Sequence, residues 1–296
     1  MKLQCVTDTS WTFEPGSIAL CAVLAVAYAI RWRAARKQGG QRAAPVWKAW
    51  AFAGGILTMV IALMSPVDRL AEQIFAMHMV QHVLLLDIAP ILLILGLTKM
   101  ILRPLTPRLH RLELAVGPLA SPIFAVVAYV ALMWLWHIPA AYDAALENPP
   151  VHVFEHITFL SVGFLYWWHL LSPIRSHMRF GGLQPVTYMA STKVFVGALG
   201  IALTFATVPL YAFYENGSRH WGLSALDDQA LAGAIMAIEQ SVVMGIALAY
   251  LFIRALQESE AASLREERYA ATEETESEPA SLPISDAGTG LENKKP

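Results

Sequence analysis

The stretch Met77–Gly96, MHMVQHVLLLDIAPILLILG, decides how the rest of the chain is read. Most of it is apolar enough to lie in lipid. Yet His78, Gln81 and His82 stand at i, i+3 and i+4, a spacing that gathers side chains on one face of a helix. Polar groups in the hydrocarbon need partners, so two imidazoles at the mouth of a membrane helix raise the question of what else reaches their level. Asp87 lies nine residues beyond His78, about 180° round a regular helix. It is therefore expected away from the histidine face, in a polar contact between helices, unless Pro90 distorts the helix strongly.

Working outward, the whole chain has the same character. Of its 296 residues, 56% are hydrophobic and only 15% charged, with a mean hydropathy of +0.48. A soluble domain carries roughly 25% charged residues. Apolar runs of about 20 residues recur, which defines an all-α, polytopic membrane helix bundle embedded in the lipid bilayer. About seven spans are expected, near residues 17–32, 48–64, 73–97, 118–136, 151–171, 186–208 and 231–254. A net charge of −2 says nothing about nucleic acid, and with no basic cluster or basic-aromatic interleaving no nucleic-acid partner is expected. Cys5 and Cys21 form neither a disulfide framework nor a metal motif, and Cys21 is expected to pack within a helix.

Basic residues give the orientation. Arg31, Arg33, Arg36, Lys37, Arg42 and Lys48 lie between the first two spans. Lys99, Arg103, Arg108 and Arg111 lie in the third connection, and Arg175 and Arg179 in the fifth. The second and sixth connections carry only Arg69 and Arg219, and the fourth carries none. This alternation places the N-terminus outside and the C-terminus in the cytoplasm. The first span reads as uncleaved, because its positive charge follows the apolar run instead of preceding it. Residues 1–256 form the membrane domain. Residues 257–296, rich in Glu, Ser, Thr, Ala and Pro, read as a disordered acidic cytoplasmic tail, helical at most for its first few turns.

Orientation turns the nine histidines into a pattern. His78 and His82 lie in the outer turns of the third span, His137 ends the fourth, and His152 and His156 open the fifth at i, i+4. These five share one level at three helix ends. His110 and His177 fall in cytoplasmic connections, His169 near the inner end of span five, and His220 in the last outer connection. Imidazole is the commonest protein ligand for borderline metals, and an i, i+4 pair lets one helix supply two ligands. A metal site at His78, His82, His137, His152 and His156 is therefore expected. Copper suits it, with thioether help from Met77, Met133 or Met236 and no thiolate cluster to favour zinc. In span seven, Gln229, Gly233, Met236 and Gln240 form a stripe with Glu239 at its edge, and small Gly233 allows a close helix neighbour. Asp228 is a candidate cap for that helix. Glu239, about 12 Å into the span at 1.5 Å per residue, needs a proton or a partner, for which Lys193 is a distant candidate.

Three stretches, MHMVQHVLLLDIAPILLILG, WHIPAAYDAALENPPVHVFEHITFLSVGFLYWW and LSALDDQALAGAIM, together resemble the caa3-type cytochrome c oxidase assembly factor family (CtaG type) of seven-span membrane proteins. The resemblance covers roughly residues 45–255. Its HMxQH, WHxP…HxxEH and DQxLAG elements are specific in combination. Asp87, where an apolar residue is expected, and Ile91, where a second proline is common, depart from the pattern and put the local helix geometry in question.

What the resemblance implies is a protein of the bacterial plasma (inner) membrane. Its partners would be cytochrome c oxidase subunits, and its role copper delivery during maturation of the haem–copper oxidase. Gln81, Glu155, Asp228, Gln229 and Met236 are then expected around the histidine ligands. No nucleophile–base pair, phosphate loop or flavin motif points to catalysis. The competing readings are a b-type haem or electron-transfer protein, since facing histidines ligate haem, a metal transporter, a di-iron oxygenase, and a helical scaffold. A homo-oligomer is left open by the sequence.

Overall fold

The computed structural model describes residues 7–174, 183–214 and 221–277. Cys5, Arg175, His177, Arg179, Arg219 and His220 lie outside the described residues. The chain divides into two units, residues 1–252 and 253–296. The elements are α-helices joined by short turns, with no strand among the described residues.

Helix α1 (Pro15–Ala43) and α2 (Val46–Met64) are followed by the short α3 (Pro66–Ala71). The Met77–Gly96 stretch lies mainly in one broken helix: α4 (Phe75–Val83), a π-turn (Leu84–Ile88) and α5 (Ala89–Leu95). Short α6 (Lys99–Leu102) and α7 (Thr106–Val116) lead through a 3-10 turn (Gly117–Ala120) to α8 (Pro122–Trp136). Then come α9 (Pro139–Glu147), α10 (Pro149–Leu171), α11 (Gln184–Thr204) and α12 (Ala225–Ser277).

Among the described residues, five helical segments are long and apolar enough to cross a membrane: α1, α2, α4–α5, α11 and α12. Residues Thr106–Ala120 and Pro122–Trp136, bent by 60°, make a sixth if they form one span. Six of the seven expected spans are then accounted for by length and composition among the described residues. The missing member is α10, whose 23 residues are enough in length but whose histidines and Glu155 dilute its apolar character. At the other end of the chain, α12 runs on to Ser277. Large aliphatic side chains face outward, among them Val23, Ile123 and Ile246, as suits a lipid solvent.

The broken α4–α5 helix is the centre of the packing. Pro90 has no N–H to give the carbonyl four residues back, which is that of Leu86. The helix widens into the π-turn just ahead of the proline. Gly163 of α10 lies against the Leu86 carbonyl so closely that a Cβ there would collide with it. Both ends of the broken helix are complemented by charge. The Asp228 carboxylate accepts the first two amides, Phe75 N–H at 2.7 Å and Ala76 N–H at 2.9 Å. At the far end Lys48 Nζ donates to the Leu95 and Leu97 carbonyls at 2.7 and 2.9 Å. An anion at the N-terminus and a cation at the C-terminus both suit the helix dipole. Asp228 thus caps a different helix from the one expected. Gly233 does admit a close neighbour, lying backbone to backbone against Gly200 of α11.

Candidate metal centre

The first turns of α4 and α10 face each other and bring four histidines together. Ring centroids are 4.2 Å apart for His78–His82, 4.2 Å for His152–His156, 5.4 Å for His78–His152 and 5.9 Å for His82–His156. Between them stands Glu155, fully buried. Its Oε1 is 3.5 Å from His82 Nε2 and its Oε2 is 3.8 Å from His78 Nε2. One ligand atom from each of His78, His82 and Glu155 can be chosen so that all three lie within 4.8 Å of one another.

The hydrogen bonds around this cluster are as informative as its distances. Nε2 of His78, His82, His152 and His156 has no hydrogen-bond partner, and neither oxygen of Glu155 has one, although all are buried. A buried polar group left unpaired costs roughly 1–3 kcal/mol, and an unpaired buried charge costs more. The His78 tautomer follows from its other nitrogen. Tyr214 gives its single hydroxyl proton to the Ala71 carbonyl at 2.7 Å, and His78 Nδ1 lies 3.3 Å from the same oxygen. Nδ1–H of His78 is therefore the donor, and Nε2 presents a lone pair to the Glu155 oxygen. Two lone pairs facing each other in a buried site are stabilised by a proton or a metal cation held between them. An imidazole held at Nδ1 with Nε2 free is also the arrangement that orients a metal ligand. The donor set, imidazole nitrogens with one carboxylate and no thiolate, fits copper or zinc.

The remaining expected residues divide by what they touch. His137 is engaged separately: its Nδ1 lies 2.7 Å from the Met133 carbonyl and its Nε2 3.3 Å from Met79 Sδ. Gln81 donates to the Ala62 carbonyl at 2.7 Å and Asp68 Oδ1 at 2.8 Å, fastening α4 to α2 and α3. Gln229 accepts from Leu210 N–H at 2.7 Å and donates to the Val208 carbonyl at 3.3 Å. Asp228 positions the start of α4, and with it His78. Met236 faces a narrow cavity beside the cluster, together with His82 and Met79.

Asp87 is where the structure departs most from expectation. Both oxygens accept from Tyr129 Oη at 2.8–2.9 Å, and Oδ1 also accepts from Trp167 Nε1 at 2.7 Å. These are the interhelical contacts expected of it. Its direction, however, differs: the π-turn shifts the helical phase, and Asp87 borders the same cavity as His82. Glu239 lines that cavity too, and its Oε2 accepts from Gln240 at 2.8 Å. Gln240, not Lys193, supplies the hydrogen bond to Glu239, and Asp87 shares its cavity. Sequence reasoning gave Glu155 only a supporting place and missed Tyr214 altogether. The HxxEH order places Glu155 between two histidines, which was the available signal. Nothing in the sequence marks Tyr214.

Together these features define a polytopic helical membrane protein with a buried histidine–carboxylate cluster where two helices begin. The chain belongs to the family of cytochrome c oxidase caa3 assembly factors, which it matches over residues 26–258. It is 29% identical over 280 residues to an uncharacterized protein of Mycobacterium bovis and equally to one of Mycobacterium tuberculosis. Each match covers 88% of this chain and 42% of the relative. An uncharacterized protein of Mycobacterium leprae is 24% identical over 283 residues, with the same coverages. The chain thus spans less than half the length of these curated relatives. No solved structure matches it.

Proposed function

We propose that the chain binds copper at His78, His82 and Glu155, with His152 and His156 beside them, and acts as an assembly factor for a haem–copper cytochrome c oxidase in the bacterial plasma membrane. Family membership supports the oxidase as partner. The observation that supports the metal is the set of buried ligand atoms on His78, His82 and Glu155 that have no hydrogen-bond partner. The distribution of Lys and Arg supports an outer-side position for the cluster, where copper is handed between proteins without crossing the bilayer. Bound there, copper would be available for ligand exchange into a copper centre of the oxidase. The chain's residues do the rest: Tyr214 fixes the His78 tautomer, Asp228 fixes the start of α4, and Gly163 lets α10 bring Glu155 to the histidines.

Metal analysis of the purified protein tests this reading. Wild type should carry about one copper per chain, and His78→Ala/His82→Ala should carry none. Cells with the double variant should then assemble an oxidase deficient in copper. Unchanged copper content in the variant would remove the metal site, and unchanged oxidase activity would remove the assembly role.

A further inference from the structure

About one turn along α4 from His78, a cavity of about 10 Å³ lies between α4, α8, α11 and α12. That is room for one water-sized particle. Three methionines line it from three different helices: Met79 of α4, Met133 of α8 and Met236 of α12. Methionine often fills irregular gaps in a core, and a cavity walled only by such residues stays dry and empty. This one has a polar side. Gln240 Oε1 and Glu239 Oε1 are buried without hydrogen-bond partners, and both residues border it together with Asp87. Gln240 is only 2% exposed.

His137 adds an independent sign. Its Nδ1 is 2.7 Å from the Met133 carbonyl, which can only accept, so the proton is on Nδ1. Nε2 then carries a lone pair, and it points at Met79 Sδ from 3.3 Å. A thioether has no proton to give. A nitrogen and a sulfur lone pair therefore meet, in a buried place, with no hydrogen between them. A water in the cavity would be satisfied by the oxygen and nitrogen atoms and would gain little from three sulfurs. A soft monovalent cation gains from thioether and imidazole alike.

We propose that Met79, Met133 and Met236, with the His137 imidazole, form a second metal site that takes a soft monovalent cation of the Cu(I) class. It is distinct from the His78–His82–Glu155 centre, whose nitrogen and carboxylate donors suit a harder, divalent ion. It does not require that centre to hold copper. The division also gives His137 a place: it belongs with the sulfurs and not with the other four histidines.

The test uses the full chain, purified in detergent and titrated anaerobically with Ag(I), a soft monovalent probe that does not change oxidation state under these conditions. Wild type should bind Ag(I) with sulfur scatterers in its X-ray absorption spectrum. Glu155→Gln, which disables the neighbouring centre, should keep one equivalent of Ag(I). Met79→Leu/Met133→Leu/Met236→Leu, close to volume-neutral, should lose that equivalent while still binding divalent copper. Ag(I) bound through nitrogen and oxygen alone, or bound equally by the triple leucine variant, would overturn the site. If the triple variant fails to fold, the wild-type spectrum decides by the presence or absence of sulfur. Loss of divalent copper dependence on Glu155 would count against the other centre only.

Discussion

Glu155 and Asp87 are two buried carboxyls in one helix bundle, and their surroundings are opposite. Asp87 is saturated, with donors from Tyr129 on α8 and Trp167 on α10 at 2.7–2.9 Å. Glu155 faces the Nε2 atoms of His78 and His82 at 3.5–3.8 Å and accepts nothing. The first carboxyl is finished by the protein itself. The second, on the reading proposed above, is completed by a bound cation. Burial and charge do not separate a structural acid from a ligand in a membrane protein. Whether the fold has supplied donors does.

The contrast can be broken by exchanging the two roles. The largest expected effect is on binding: Glu155→Gln should abolish the roughly one equivalent of copper measured by metal analysis, while Asp87→Asn should retain it. Next is stability. Asp87→Ala strands the Tyr129 hydroxyl and the Trp167 N–H in the core, and at 1–3 kcal/mol for each donor left unpaired the loss should be about 3 kcal/mol in denaturant unfolding. Glu155→Leu should cost the metal-free protein nothing, because it removes an unsatisfied group. A comparable loss for both variants would show that the two sites do not differ as argued.

Smaller effects sharpen the picture. Gly163→Ala forces a methyl group against the Leu86 carbonyl and should destabilise by about 1–3 kcal/mol as overpacking does, with weakened copper binding because α10 carries Glu155. Asp228→Asn exchanges one carboxylate oxygen for an amide on the first turn of α4, where a cap is worth ~1 kcal/mol. Thermal unfolding should register that change, and copper affinity should fall modestly as His78 loosens. Acidification should also release copper, since protons compete for imidazole nitrogen and carboxylate oxygen. Copper retained unchanged by equilibrium dialysis from pH 8 to pH 4 would point to ligands other than these.

Much of this was legible in the sequence, for identifiable reasons. The i, i+4 pairs His78/His82 and His152/His156 each define a helix face regardless of packing, so the contact between them follows once the two helix ends share a level. His137 shares that level but bonds to the Met133 carbonyl and faces Met79. Its direction depends on how α8 ends, which no spacing encodes. Asp87 was placed by assuming a regular helix. The π-turn ahead of Pro90 adds about one residue to a turn, a rotation of roughly 100°, and brings Asp87 to the cavity shared with His82. The widening is prompted by a proline visible in the sequence. Its amplitude depends on Gly163 of α10, far along the chain. Tyr214 was invisible because its role, holding one imidazole tautomer, arises only from contact across 136 positions.

The central claim is that Glu155 and its histidines are left unpaired for a metal ion, and thermal unfolding tests it most directly. Wild type and Glu155→Leu, each purified without metal, would be melted with and without excess copper. Copper bound only to the folded state raises stability in proportion to RT ln(1 + [L]/Kd). The account predicts a clear upward shift for wild type, none for Glu155→Leu, and a metal-free variant at least as stable as metal-free wild type. An equal shift in both proteins, or none in wild type, would contradict it.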